Sequence, residues 1–250
     1  MSRRILIAVM VFASAGCTSG PDKTTVASGL PAQAHGVVLA AEGAGNLGRL
    51  PAALRQALGE SHILLEVKPV AWSHGNGRIF ADQMDFAHTQ AEGRRLATTI
   101  TASRQARPLD QIYLVGYSAG CAVALAAAEE LPPGSVDGIV LLAPSVSAHY
   151  DLRPALACCP IDVFYSTEDW FFLGVGVALL GTTDRDQLPA AGRTGFLTTV
   201  TSPQDKARYA RLHQHPWIAD DEHTGHRGGH FGGTQSAFLR TQVIPLLVVK

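Results

Sequence analysis

Short runs of hydrophobic residues alternate with amphipathic segments along most of the chain. Apolar runs bounded by glycine or proline are typical of buried strands, and apolar residues spaced three and four apart are typical of helices. The runs predict strands over 37–41, 63–71, 112–115, 139–143 and 161–166, with a weaker one over 209–217. The helical spacing predicts helices over 47–59, 82–107, 119–131 and 234–247. Because strands alternate with helices, we expect an α/β fold, a mostly parallel central sheet with helices on both faces.

The longest predicted helix, over 82–107, has a clear beginning and end in the sequence. Asp82 provides a side chain that can cap the first turn, and Pro108 lies directly after the last predicted residue. Aspartate is favoured at helix starts, and proline cannot continue a helix. The pattern predicts one uninterrupted helix between these two residues.

Composition narrows the classes of protein that fit this pattern. Charged residues make up 16% of the chain, hydrophobic residues 46%, and the formal net charge at pH 7 is −1. Disordered chains combine low hydrophobicity with high net charge, and nucleic-acid-binding domains usually carry a basic excess. The composition therefore excludes a disordered chain and predicts no nucleic-acid partner.

The first residues carry the features of an export signal. Arg3 and Arg4 precede an apolar run over 5–15, which is shorter than the roughly 20 residues that a helix needs to span a bilayer. Cys17 follows small residues in a way that resembles the lipobox of bacterial lipoproteins. The resemblance implies lipidation of Cys17, export and attachment to a bacterial membrane, and an ordinary cleaved signal is the alternative. The predicted divisions are a signal peptide over 1–16, a flexible tether over 17–35 and one domain over 36–250.

The sharpest local motif lies between the third predicted strand and the helix that follows it. The segment is Gly116-Tyr117-Ser118-Ala119-Gly120. Glycine on both sides permits a tight turn, because a larger side chain there would clash with the strand or the helix. The turn would raise the Ser118 hydroxyl at the start of a helix, where backbone amides favour negative charge. A chance match in a glycine-rich chain would lack the flanking strand and helix.

With this strand–turn–helix motif, residues 36–250 resemble the α/β-hydrolase superfamily. The resemblance implies a catalytic triad in the chain order serine, acid, histidine. Ser118 then takes the position of the nucleophile, and Asp169, directly after the fifth predicted strand, takes that of the acid. Glu168 and Asp151 are the alternatives for the acid.

The histidine that the resemblance requires lies before the last predicted helix. His230, which follows a glycine, matches the family's position best, and His226 and His223 are the alternatives. The three histidines also suggest a metal site, because their spacing would suit one face of a helix. Gly225 and Gly228 disfavour a regular helix there, so we expect no metal and no other cofactor.

The resemblance also implies how these groups would act. His230 would take the proton of Ser118 during attack and return it to the leaving group. Asp169 would orient the imidazole and stabilise its protonated form.

The negative oxygen of the tetrahedral intermediate needs two N–H donors, an oxyanion hole. The resemblance assigns one to the amide of Ala119, directly after the serine, and the second to the loop after the first strand. In that loop Ala44 is the expected donor, and Glu42 stands where the family has histidine.

Aromatic residues near these positions are candidates for a substrate pocket. They are Trp72, Tyr117, Phe171 and Phe172. Trp72 follows the second strand, and a packed loop aromatic is the alternative. The two phenylalanines follow Asp169 and would form a substrate wall or an interfacial surface, with a buried helix and loop as the alternative. The connection between the fourth and fifth strands is too short for a separate lid domain.

The function that these features predict is a serine hydrolase that cleaves a carboxylic ester through an acyl-enzyme. The substrate would be a small-molecule or lipid-like ester. Two alternatives use the same fold, a catalytically silent binding lipoprotein and an acyltransferase or thioesterase with the same triad. The acyl-chain preference and the oligomeric state are not encoded in any motif of the chain.

Overall fold

A parallel six-stranded sheet forms the centre of the protein. The computed structural model describes residues 36–170, 181–184 and 189–248. The predicted signal peptide, the tether and Cys17 lie outside the described residues, as do Phe171 and Phe172. The strands are β1 (Gly36–Ala41), β2 (Glu66–Pro69), β3 (Gln111–Tyr117), β4 (Gly138–Leu142), β5 (Ile161–Tyr165) and β6 (Leu212–Pro216). They pair in the order β2-β1-β3-β4-β5-β6, and every pair is parallel.

Helices connect the strands. The regular helices are α1 (Arg49–Glu60), α2 (Ile79–Met84), α3 (Phe86–Ala106), α4 (Gly120–Glu129), α5 (Arg153–Cys158), α6 (Ala191–Thr194), α7 (Pro203–Tyr209) and α8 (Ser236–Phe238). Turns of 3₁₀ helix cover Ala219–Thr224 and Gly232–Thr234. No helix among the described residues has both the length and the apolar character that crossing a membrane requires.

Both faces of the sheet are buried, because successive strand residues point to opposite sides. Leu39 and Ala41 of β1 pack in one core with residues of α3, α4 and α5. Val38 and Ala40 pack in a second core with α1 and the C-terminal helical turns. A parallel sheet covered on both faces in this way confirms the α/β class predicted from the hydrophobic runs.

The prediction of one helix over 82–107 is wrong. The helix is broken at Asp85, whose φ of −96° and ψ of 79° are not helical. The Asp85 carboxylate accepts a hydrogen bond from the His88 amide and caps α3. Asp82 caps nothing, because its side chain is fully buried and binds neighbouring loops.

The predicted C-terminal helix, over 234–247, is present but irregular. Helix α8 continues through a π turn at Leu239–Val243 into a 3₁₀ turn at Ile244–Leu247. Pro245 lacks an amide hydrogen and cannot sustain the regular hydrogen-bond pattern. The apolar face is kept all the same, since Phe238, Leu239 and Leu247 are buried.

The connection between β4 and β5 carries no lid domain. It contains the short helix α5 and an isolated bridge from Ser147 to Ala190. The sequence predicted that this connection is short. No insertion between β4 and β5 therefore covers the carboxyl edge of the central strands.

Candidate active site

The turn after β3 holds Ser118 in a strained backbone conformation. Its φ is +52°, a value that residues with a side chain rarely adopt. The Ser118 amide donates to the carbonyl of Leu142 at 2.9 Å, and its carbonyl accepts from Cys121 and Ser145. These hydrogen bonds to β4, to the loop after it and to α4 fix the strained turn, as such strain requires.

The glycines on either side of the turn have no room for a side chain. A Cβ on Gly116 would lie 2.8 Å from the Cα of Cys121, at the start of α4. A Cβ on Gly120 would lie 2.3 Å from the carbonyl oxygen of Ala41. One glycine therefore lets the helix fold back on β3, and the other lets it approach the end of β1.

A chain of hydrogen bonds joins Ser118, His230 and Asp169. The Ser118 Oγ and the His230 Nε2 are 2.9 Å apart, and the His230 Nδ1 and the Asp169 Oδ2 are 2.6 Å apart. A carboxylate can only accept, so Nδ1 carries the proton and Nε2 of the neutral ring is free to accept from the serine hydroxyl. All three residues are buried, with Asp169 only 2% exposed.

Tyr117 fixes the backbone of His230. Its hydroxyl donates to the His230 carbonyl at 3.2 Å, and the two rings lie 5.2 Å apart. Burial raises the pKa of Tyr117 well above its ordinary value, so the hydroxyl keeps its proton and remains a donor. Tyr117 is 3% exposed, so it supports the histidine rather than lining an open pocket.

The alternative acids lie elsewhere. Glu168 is exposed, with its side chain against Gly228. Asp151 forms a surface ion pair with Arg153 at 2.8 Å. Of the three candidates, Asp169 alone contacts His230.

The two other histidines of the segment are also separate from Ser118. His226 is buried, and its Nδ1 accepts from the Gly228 amide at 3.1 Å. Burial lowers the pKa of His226 to about 4, so the ring is neutral at pH 7. His223 is exposed, and its ring bonds the carbonyl of Asp220. Among the described residues no three groups of metal-ligating type lie close enough to hold an ion.

The loop after β1, residues 42–46, runs beside Ser118. A Cβ on Gly43 would lie 3.3 Å from the Cβ of Ser118. Within the described part of the chain, the amides of Ala44 and Ala119 donate to no acceptor. Two unused amides near the serine are what a developing oxyanion would need.

Residues 80–170, which contain the serine turn and end beside Asp169, match the family model of the α/β hydrolase fold. The chain has the α/β-hydrolase fold. No curated protein matches the sequence.

Several solved structures are similar to the chain at low sequence identity. A cutinase from Trichoderma reesei is 18% identical with a TM-score of 0.43, over 87% of this chain and 78% of the cutinase. A poly(3-hydroxybutyrate) depolymerase from Bordetella parapertussis is 15% identical with a TM-score of 0.49, over 84% and 83% of the two chains. A lidless α/β serine hydrolase from Xanthomonas campestris is 16% identical with a TM-score of 0.45, over 88% and 85%.

Trp72 packs inside this α/β-hydrolase fold and does not face a pocket. It is 1% exposed, and its indole N–H donates to the carbonyl of Glu42 at 2.9 Å. The structure therefore contradicts the pocket role predicted for Trp72 and favours the packed aromatic. A tryptophan after a strand gives no sign of which way its ring will turn, because that depends on the neighbouring loop.

A cleft of about 490 Å³ opens beside Asp169 and His230. Among its lining residues are Trp170, Arg227 and Gln235. Trp170 is 58% exposed. Trp170 belongs to the apolar segment after Asp169 for which the sequence predicts a substrate wall, whereas no sequence pattern indicated Arg227 or Gln235. The predicted wall residues, Phe171 and Phe172, lie outside the described residues.

Proposed function

We propose that this protein is a serine hydrolase that cleaves carboxylic esters through an acyl-enzyme. The observation that carries the proposal is the hydrogen-bonded chain from Ser118 through His230 to Asp169, which begins at a strained turn. The α/β-hydrolase fold of the chain supports a hydrolase of this general kind.

In the first half-reaction the Ser118 oxygen attacks the ester carbonyl carbon, and His230 Nε2 takes the hydroxyl proton. The carbonyl oxygen becomes an oxyanion that accepts hydrogen bonds from the amides of Ala44 and Ala119. The intermediate collapses, the carbon–oxygen bond to the alcohol breaks, and His230 returns its proton to the departing oxygen.

In the second half-reaction water replaces the alcohol. His230 takes a proton from the water, and the resulting hydroxide attacks the acyl carbon. The bond to Ser118 then breaks, and the serine recovers its proton from the imidazolium. Asp169 stays ionised throughout and stabilises the positive charge on the ring.

Labelling with a fluorophosphonate tests the nucleophile, because an activated serine attacks the phosphorus, displaces fluoride and becomes phosphonylated. We expect a single adduct on the peptide that contains Ser118. The Ser118→Ala variant should lose both the adduct and the hydrolysis of p-nitrophenyl butyrate, whereas Ser135→Ala, away from the turn, should retain both. An unlabelled wild-type protein would support the silent binding protein, and full activity in Ser118→Ala would refute the proposal.

A panel of acyl donors separates ester hydrolysis from the related reactions of the same triad. Esters, thioesters and amides of one acyl chain are compared, each with and without an added alcohol acceptor. Faster release of free acid from esters than from thioesters supports the proposal. Transfer of the acyl group to the alcohol in preference to water would instead assign an acyltransferase.

A further inference from the structure

The loop at residues 42–46, called here the oxyanion loop, has an unusual pattern of amide hydrogen bonds. The amides of Gly43, Gly45 and Asn46 all donate to acceptors, while that of Ala44 donates to none among the described residues. The loop is therefore anchored on both sides of the Ala44 N–H. Two of the three acceptors are carboxylate oxygens of buried side chains.

The first carboxylate is Asp82 of α2, which is fully buried. Its Oδ2 accepts from the Gly45 amide at 2.7 Å and from the Ser73 hydroxyl at 2.6 Å. Its Oδ1 accepts from the amide and the ring Nδ1 of His74 at 2.8 and 3.0 Å. Asp82 thus ties the oxyanion loop to the loop that follows β2.

These donors keep Asp82 ionised in the interior. Burial by itself would raise the pKa of Asp82, but the hydrogen bonds from Ser73, Gly45 and His74 outweigh it and hold the pKa below its ordinary value. Both oxygens are accordingly full acceptors at neutral pH.

The second carboxylate is Glu42, which is 3% exposed. Its Oε1 accepts from the Gly43 amide and its Oε2 from the Leu50 amide, both at 2.8 Å. Leu50 lies in the first turn of α1, where Gly48 offers no capping side chain. Glu42 therefore caps that helix and fixes the opposite end of the oxyanion loop.

We propose that Asp82 and Glu42 are positioning residues that hold the oxyanion loop so that the Ala44 amide points at the developing oxyanion. This inference rests on the proposed function. Catalysis by an oxyanion hole depends on donors that are already in place before charge develops, because moving them during the reaction would consume the stabilisation. Neither carboxylate is assigned any contact with substrate.

The Asp82→Asn variant tests the proposal. An amide at this position keeps one acceptor oxygen but turns an NH₂ group toward donors that the carboxylate now satisfies. We expect kcat on p-nitrophenyl butyrate to fall about 10- to 100-fold, less than the roughly 10²- to 10³-fold loss on removing a donor outright. KM should change little, because the ground-state ester barely uses the oxyanion hole.

Asp110→Asn is the matched control. It makes the same charge change directly before β3, at a carboxylate that pairs with Arg107. We expect its kcat to stay within about twofold of wild type, since Asp110 contacts neither the oxyanion loop nor Asp82.

Inhibition by a trifluoromethyl ketone gives a measurement that a loss of stability alone would not change. Ser118 adds to it to form a hemiketal whose oxyanion occupies the hole. Its inhibition constant should rise in Asp82→Asn by the same factor as kcat falls, while the affinity for butyrate, the product, stays unchanged. Equal changes in the inhibition constant and in product affinity would indicate a structural role only and would overturn the proposal.

Ser73→Ala keeps the proposal testable if Asp82→Asn does not fold. It removes one hydrogen bond to Asp82 and leaves the carboxylate in place, so kcat should fall about three- to tenfold at constant KM. Unchanged kcat would overturn the positioning role. A wild-type protein that neither hydrolyses p-nitrophenyl butyrate nor reacts with a fluorophosphonate at Ser118 would instead refute the proposed function. The two failures are therefore distinguishable.

Discussion

At the scale of single residues, three histidines of one segment have three different environments. His230 contacts both Ser118 and Asp169, and His223 is exposed. His226 packs edge-to-face on Phe238 at 4.7 Å and is buried. A residue type by itself does not determine its role, because burial and partners decide whether the ring takes part in chemistry or in packing.

The neutral ring of His226 predicts a pH dependence of stability. Burial lowers its pKa in the folded protein to about 4 from an ordinary value of 6.5, so between these values the unfolded chain binds a proton that the folded protein does not. This contribution to stability is fully present above pH 6.5 and is lost progressively as the pH falls toward 4. We expect the melting temperature to fall less steeply over this range in His226→Asn, whose Oδ1 can still accept from the Gly228 amide.

The exposed histidine of the same segment provides the control for this measurement. His223→Asn should leave the dependence of the melting temperature on pH as it is in the wild-type protein. Parallel curves for wild type and His226→Asn, measured by calorimetry from pH 4 to 7.5, would contradict the prediction.

At the scale of elements, the packing of α3 against α4 supports the turn that holds Ser118. Helix α4 consists largely of alanine and other small residues, and nearly all of them are buried. Gly93 of α3 faces it so closely that a Cβ there would lie 2.5 Å from the Cβ of Ala126. Because α4 begins two residues after Ser118, this contact fixes the helix and with it the turn that holds the serine.

Gly93→Ala should therefore destabilise the fold, although alanine normally favours a helix over glycine. We expect a loss of about 1–3 kcal/mol in the free energy of unfolding, because the added methyl group forces the two helices apart. Gly59→Ala in α1 is the control, since a Cβ there meets no atom within 4 Å. That variant should gain about 0.5–1 kcal/mol. Similar effects of the two substitutions in urea unfolding would argue against the close helix contact.

At the scale of the whole molecule, the parallel sheet gathers residues that are far apart in the sequence. Ser118 and His230 are 112 positions apart, and His230 and Asp169 are 61 apart. Ser118 and Asp169 lie after the carboxyl ends of β3 and β5, which point the same way in a parallel sheet. Strand β1 pairs directly with β3, so the loop after β1 lies beside the turn that holds Ser118.

We propose that the segment before the sheet exports the protein and anchors it through a lipid on Cys17. The motivation is the lipobox-like sequence around Cys17, after an apolar run that follows two arginines. The full chain, expressed in a bacterium with labelled palmitate, should incorporate label, and Cys17→Ser should incorporate none. Thr18→Ser, next to the cysteine, is the control and should be labelled normally. Unlabelled wild-type protein, or label that persists in Cys17→Ser, would contradict the lipid anchor.

The sequence was sufficient for the alternation of strands and helices and for the turn around Ser118. Both follow from local rules: apolar runs fix strands, and Gly116 and Gly120 permit a turn that few other residues allow. The family resemblance then pointed to Asp169 and His230, which lie within hydrogen-bond distance of each other in the structure. Their catalytic roles stay predictions until the variants are measured.

Tertiary structure alone decided which groups meet. The sequence left Asp169, Glu168 and Asp151 as alternatives, and only one of them is within hydrogen-bond distance of His230. It also predicted Asp82 as a helix cap, whereas its carboxylate binds Gly45 across 37 positions of the chain. Local steric effects depend on residues that are neighbours in the sequence and can be predicted from them. A contact between distant residues depends on how all the intervening elements pack, and no short pattern contains that information.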